Sequence, residues 1–157
     1  MKKLFSIAFV FILLCTASVT VFAAGLNEDN TVGSITVSYG VSESYVVTIP
    51  ADIAISTTGV ESTLSASSVL IPDGKTLTVS ATSQNGYNLE YANSKIPYTV
   101  LVNGTKQTDA TFTALSVVSG STSGNATLIF KTTDEDIAKA TKSGNHTDVL
   151  TFNCTIN

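Results

Sequence analysis

Few residues in this chain could do chemistry, and each has a plainer structural use. His146 is the only histidine. A hydrolase would need it beside a nucleophile and an acid, and no serine or cysteine lies near it in a recognised nucleophile motif. One histidine cannot build a His-based zinc site, and a single cysteine in the exported chain adds little. Asp134-Glu135-Asp136 is the only acidic cluster. It offers oxygens to Ca²⁺, yet it lacks the spaced ligands and central glycine of a dedicated calcium loop. Capping a helix accounts for the cluster without a metal. No glycine-rich phosphate loop is present. The expectation is therefore no catalytic residue, no metal ligand and no cofactor.

Three further groups have side chains suited to contact. Tyr39, Tyr45, Tyr87, Tyr91 and Tyr98 could line a sugar platform, because tyrosine joins an apolar face to a polar tip. Tyr39, Tyr45, Tyr87 and Tyr98 follow the inward alternation of their segments, which assigns most of them to the core. Asn103, Asn125, Asn145 and Asn153 open Asn-X-Thr sequences that match glycosylation acceptors. In a threonine-rich chain with a bacterial-looking leader no modification is expected there. Cys154 shares a face with Leu150, Phe152 and Ile156, which reads as a small buried hydrophobe. The sharper alternative, a link to another chain, requires Cys154 to be exposed.

The elements that must position these groups are strands. From Leu150 onward apolar and polar residues alternate strictly, with Leu150, Phe152, Cys154 and Ile156 on one face and Thr151, Asn153 and Thr155 on the other. That period of two marks a half-buried strand, expected in the middle or closing position of a sheet. The same alternation runs through Ile35–Val41, Tyr45–Ile49, Leu77–Ala81, Tyr87–Tyr91, Ile96–Val102 and Ala126–Phe130. Leu64, Ala66 and Val69–Ile71 make a less regular run, and Phe112–Val118 another. Pro72-Asp73-Gly74-Lys75, Asn85-Gly86 and Asn103-Gly104 supply turns between them. Short strands spaced in this way predict an all-β, Ig-like antiparallel β-sandwich. Thr133 followed by three acids predicts one short helix before the last strand, with Lys139 and Lys142 near its end and Gly144 to stop it.

Residues 1–23 carry a basic start, Met1-Lys2-Lys3, an uncharged apolar run from Leu4 to Leu14, and Val21-Phe22-Ala23 before an expected cut after Ala23 or Ala24. This reads as a secretory signal peptide, too short in its apolar part to span a bilayer. Cys15 follows Leu14, where lipoprotein processing wants a small residue, so it belongs to the discarded segment. Residues 24–32 read as a flexible mature start, and residues 33–157 as one sandwich domain large enough to bury a core. No hydrophobic tail or sorting signal closes the sequence, so the mature chain is expected to leave the membrane or be held by other proteins.

Composition narrows the partners. The 157 residues hold eight lysines, no arginine and twelve acids, for a net charge of −4. Loss of Lys2 and Lys3 would take that to −6. Such a chain is a poor partner for nucleic acid and for anionic membrane, which both need clustered cations. Its polarity comes from Ser, Thr, Asn and Gly, and the β-branched Thr suits pleated surfaces. One cysteine in the mature chain forbids an internal disulfide.

Four segments, in order, carry a resemblance. They are Tyr45-Val46-Val47-Thr48-Ile49-Pro50-Ala51, the run Pro72–Val79, Tyr98-Thr99-Val100, and Ser143-Gly144-Asn145-His146-Thr147-Asp148-Val149-Leu150-Thr151-Phe152. Together they resemble a largely uncharacterised group of secreted β-sandwich surface proteins of Gram-positive bacteria, with a closing Gly-x-aromatic-Thr-Asp-x-Leu-Thr-Phe strand. The ending is more distantly similar to fimbrial and spore-coat-type subunits. His146 departs from the aromatic, commonly tyrosine, found at its position. The resemblance implies a surface location, a structural or adhesive role and no enzyme.

The expected protein is thus a non-enzymatic secreted or cell-surface structural or adhesive chain, with a pilin-like appendage subunit as its specific form. The alternative is a module that binds carbohydrate or a host ligand. Expected partners are other surface proteins, copies of the chain itself, or glycans. The polar segment Leu26–Val32 is one candidate for strand donation between subunits, although it lacks alternating hydrophobics.

Overall fold

The computed structural model describes residues 36–157. The leader, Cys15 and Leu26–Val32 lie outside the described residues. The chain divides into two compact units at the Gly40/Val41 junction. Of the first, the described residues 36–40 form no strand.

The second unit is an all-β, antiparallel, sandwich-like fold with one short helix before its last strand. Its strands are β1 (Ser44–Thr48), β2 (Val60–Leu70), β3 (Thr76–Ser83), β4 (Asn88–Tyr91), β5 (Ser94–Pro97), β6 (Thr99–Val102), β7 (Thr105–Lys106), β8 (Thr111–Val118), β9 (Gly124–Lys131) and β10 (Leu150–Ile156). The helix α1 covers Asp134–Ile137. One sheet has the order β1-β2-β9-β6-β7, the second has the order β10-β3-β8, and β4 and β5 form a separate hairpin. Leu64 and Ala66 of β2, Val100 and Val102 of β6, and Leu128 and Phe130 of β9 meet Leu77, Val79 and Ala81 of β3 and Phe112, Leu115 and Val117 of β8 in one buried cluster. Each strand contributes alternate residues, as a pleat with one face on the core requires.

Two breaks in the alternation have a backbone cause. In β8, Ala114 and Leu115 are both buried. Val79 pairs with Leu115 but Ser80 pairs with Thr113, so Ala114 is the extra residue of a β-bulge. In β2 the apolar positions jump from Ala66 to Val69. There Ser68 has a φ of 53°, and the register against β1 slips between Val46↔Ser67 and Ser44↔Leu70.

Several expectations are corrected. No strand forms over residues 36–43; among the described residues pairing first begins at Ser44. Ser44 sits opposite Leu70, and Pro72 follows two residues later, so a strand continued upstream of Ser44 would run past the end of β2. The run Ile96–Val102 is two strands, divided at Tyr98 between the hairpin and the larger sheet. The helix is shorter than the pattern suggested. Thr133 caps it as expected, its Oγ1 accepting the Asp136 N–H at 3.1 Å, but it ends at Ile137 and not near Gly144. The last strand, β10, is an edge strand that among the described residues pairs with β3 alone, with Leu150 opposite Ser83 and Ile156 opposite Leu77.

Candidate binding cleft

Placing β10 at an edge leaves the sandwich open along one seam. Residues 49–55, which follow β1 without regular structure, form one wall of a cleft of about 880 Å³. Residues 145–150 and Phe152 form the other wall, and Leu89, Tyr98 and Phe130 lie between them. Of β10 only Leu150 and Phe152 line the cleft, and no residue of its partner β3 does. The inward side chains of β10, Leu150, Phe152, Cys154 and Ile156, touch the core but stay only half-buried, whereas the inward residues of β3 beside them are fully buried. An inner face left half wet is what a sheet shows where a strand is missing from its rim.

The wall at residues 145–150 is held by Asp148. Its Oδ2 accepts the Ser83 hydroxyl at 2.6 Å and the Tyr98 hydroxyl at 2.7 Å. Its Oδ1 accepts the Asn85 N–H at 3.0 Å and the Val149 N–H at 2.7 Å. The Ser83 oxygen in turn accepts the Tyr87 N–H at 2.8 Å. The carboxylate thus ties the approach to β10 to the end of β3, to the turn after it and to the start of β6. Burial, then the hydrogen bond to Asp148 and its negative charge, push the Tyr98 hydroxyl far above the ordinary tyrosine range. Burial first, then the charges of Asp109 and Asp148, raise Tyr87 in the same direction. The Tyr87 hydroxyl donates to the Asp109 carbonyl, and its ring meets Tyr98 edge-on at 5.8 Å. Asp148 was not singled out in the sequence. The signals that could have found it are the Thr147-Asp148 pair of the closing motif and the Tyr98 motif, which the fold joins.

His146 does meet a serine, one distant in sequence. Its Nε2 lies 2.9 Å from the Ser94 Oγ, and its Nδ1 lies 3.1 Å from the Gly144 carbonyl oxygen. Only a proton on Nδ1 satisfies that carbonyl, so Nε2 accepts from the serine. Ser94 is 1% exposed, and its oxygen also accepts the Thr141 N–H at 2.9 Å and the Lys142 N–H at 3.3 Å. The pair therefore pins the segment after α1 to the β4–β5 hairpin and presents no hydroxyl to the surface. The Tyr91 ring packs 5.8 Å from the imidazole, and Glu90 and Thr147 exchange backbone hydrogen bonds at 2.8 and 3.1 Å beside it.

The other sequence candidates scatter. Of the tyrosines expected inward, Tyr98 is buried and Tyr87 half-buried, but Tyr39 is 92% and Tyr45 37% exposed. Tyr39 has lost the strand that would have carried it inward, and Tyr45 lies on β1, an edge strand with four of its five residues exposed. None of Tyr39, Tyr45 or Tyr91 lines the cleft. In the acidic cluster Asp136 pairs with Lys139 at 2.6 Å and accepts the Thr133 hydroxyl at 2.9 Å, which lowers its carboxyl below the usual range. Among the described residues no three of His, Cys, Asp or Glu gather where they could hold a metal ion. Asn103, Asn125, Asn145 and Asn153 are all exposed. Cys154 is half-buried, and burial raises its thiol. Comparison with protein-family models, with curated proteins and with solved structures gives no match, so the sandwich and its open seam stand on the chain's own geometry.

Proposed function

We propose that this is a non-enzymatic secreted or cell-surface structural or adhesive protein that works by strand-edge contact, as an appendage-type subunit would. The observation that carries the reading is the edge of β10, unpaired among the described residues, beside a cleft lined by apolar and polar side chains together. An unpaired row of N–H and C=O groups over half-buried apolar side chains is a template for one more strand. The burial of Ser94 and the full engagement of Asp148 and His146 support a role without catalysis, because these polar groups already spend their hydrogen bonds on the fold. The leader read from residues 1–23 supports export. The alternative, a carbohydrate- or host-ligand-binding module, is less favoured, because the most exposed tyrosines do not converge on the cleft. The test is expression of the full chain in a Gram-positive host, with recovery of the exported product. The proposal expects polymers that grow with protein concentration and the chain in isolated surface fibres. A product that stays monomeric at high concentration and is absent from such fibres refutes it.

A further inference from the structure

The segment that fails to pair in this chain has the pattern the free edge lacks. Residues 35–41 alternate Ile35, Val37, Tyr39 and Val41 with Thr36, Ser38 and Gly40. Yet Val37 is 87%, Tyr39 92% and Val41 69% exposed, and residues 36–43 belong to no strand. Alternating apolar side chains left in water are an unspent sheet face. β10 has the same length and phase: seven residues, apolar at the first, third, fifth and seventh. We infer that residues 37–41 of one copy add as a strand to the free edge of β10 in a second copy, entering its cleft.

The antiparallel register follows from the pairing of phases. Val41 opposes Leu150, Tyr39 opposes Phe152 and Val37 opposes Cys154. This sets an aromatic pair across the strands at the cleft, since Leu150 and Phe152 line it and Cys154 and Ile156 continue beyond it. A slip of one residue would turn Val37, Tyr39 and Val41 all outward, so register is specified by the buried face. Main-chain hydrogen bonds supply the attraction, and the alternate side chains the selectivity. Each copy has one donor and one acceptor, and they are different surfaces. The contact is therefore head-to-tail, and it extends into open chains where the rotation between copies does not close. The inference rests on the proposed appendage role and names its donor, which differs from the Leu26–Val32 segment suggested by polarity alone.

Cys154 provides the test. In a Cys15→Ser background of the full chain, expressed with its leader and recovered after export, Val37→Cys places a second thiol opposite Cys154 of the next copy. Mild oxidation at slightly alkaline pH, which offsets the raised thiol, is expected to give a covalent ladder on a non-reducing gel. Adding Cys154→Ser should reduce the ladder to dimers at most, and Ser38→Cys, facing outward, should give no ladder. Tyr39→Asp should abolish the non-covalent polymers without changing the far-UV spectrum. A fast-migrating monomer in the Val37→Cys variant means the segment pairs within its own chain and overturns the inference. Polymers that persist in Tyr39→Asp overturn the donor but leave the appendage role standing. Monomers in every variant, the unaltered chain included, overturn both.

Discussion

Replacing Asp148 by alanine should be among the most damaging single changes in the domain. Two hydroxyls lose a charged acceptor, those of Ser83 and Tyr98, which are 4% and 6% exposed. A buried donor left without its partner costs about 1–3 kcal/mol. The N–H groups of Asn85 and Val149 lose the same carboxylate, but Val149 is exposed and Asn85 half-exposed, so water recovers most of that. Asp148 is itself half-buried, which admits some water to the gap and favours the lower half of the range. The expected loss is about 2–4 kcal/mol. This is a large share of the roughly 5–15 kcal/mol that holds a typical domain together. Asp148→Asn keeps the shape, and its amide can donate to the Ser83 and Tyr98 oxygens, so about 1–2 kcal/mol is expected. Urea unfolding followed by circular dichroism measures these losses, provided the slope of the transition is unchanged. A double-mutant cycle with Tyr98→Phe should show coupling of about 1 kcal/mol. If Asp148→Ala stays within about 0.5 kcal/mol of the parent, in the range of ordinary surface changes, or if the cycle is additive, the hub assignment is wrong.

Two other outcomes follow from the same corner of the fold. Stability should begin to fall above the ordinary thiol value of 9.0, where unfolded Cys154 ionises first, and fall more steeply above 10.0, the ordinary tyrosine value, because unfolded Tyr98 then ionises while the folded group keeps its proton. The folded state binds the extra proton, so stability drops by about 1.4 kcal/mol per pH unit. Tyr98→Phe should remove about one proton's worth of that slope in urea midpoints taken across alkaline pH, leaving the contributions of Tyr87 and Cys154. An unchanged slope would count against the burial of Tyr98. Gly144→Ala places a methyl inside the contact distance of the Tyr91 ring. Tyr91 is 43% exposed and can swing outward, so the cost should be near 1 kcal/mol, with a shifted His146 ring resonance as Tyr91 leaves it. A variant that matches the parent in both stability and that resonance would mean that the ring does not sit against Gly144.

Strand content, turn positions and the cap at Thr133 were legible in the sequence because each is set locally. A pleat exposes alternate residues whatever it packs on, Asn85-Gly86 and Asp73-Gly74 favour turn conformations by themselves, and a threonine three residues before Asp136 reaches its N–H without help from the rest of the chain. The single extra residue at Ala114 was not legible, because a bulge is defined only against the partner strand. Nor was the fate of residues 36–41. Their pattern is as regular as that of β10, but a strand forms only where an edge is offered, and β2 ends at the Pro72 turn before it could serve them. The Ser94–His146 and Tyr98–Asp148 bonds join residues about fifty positions apart, and such meetings depend on which strands lie side by side. Local periodicity marked which segments could become strands. The choice of neighbours, and with it the free edge of β10 and the cleft beside it, was settled only when both sheets closed on one core.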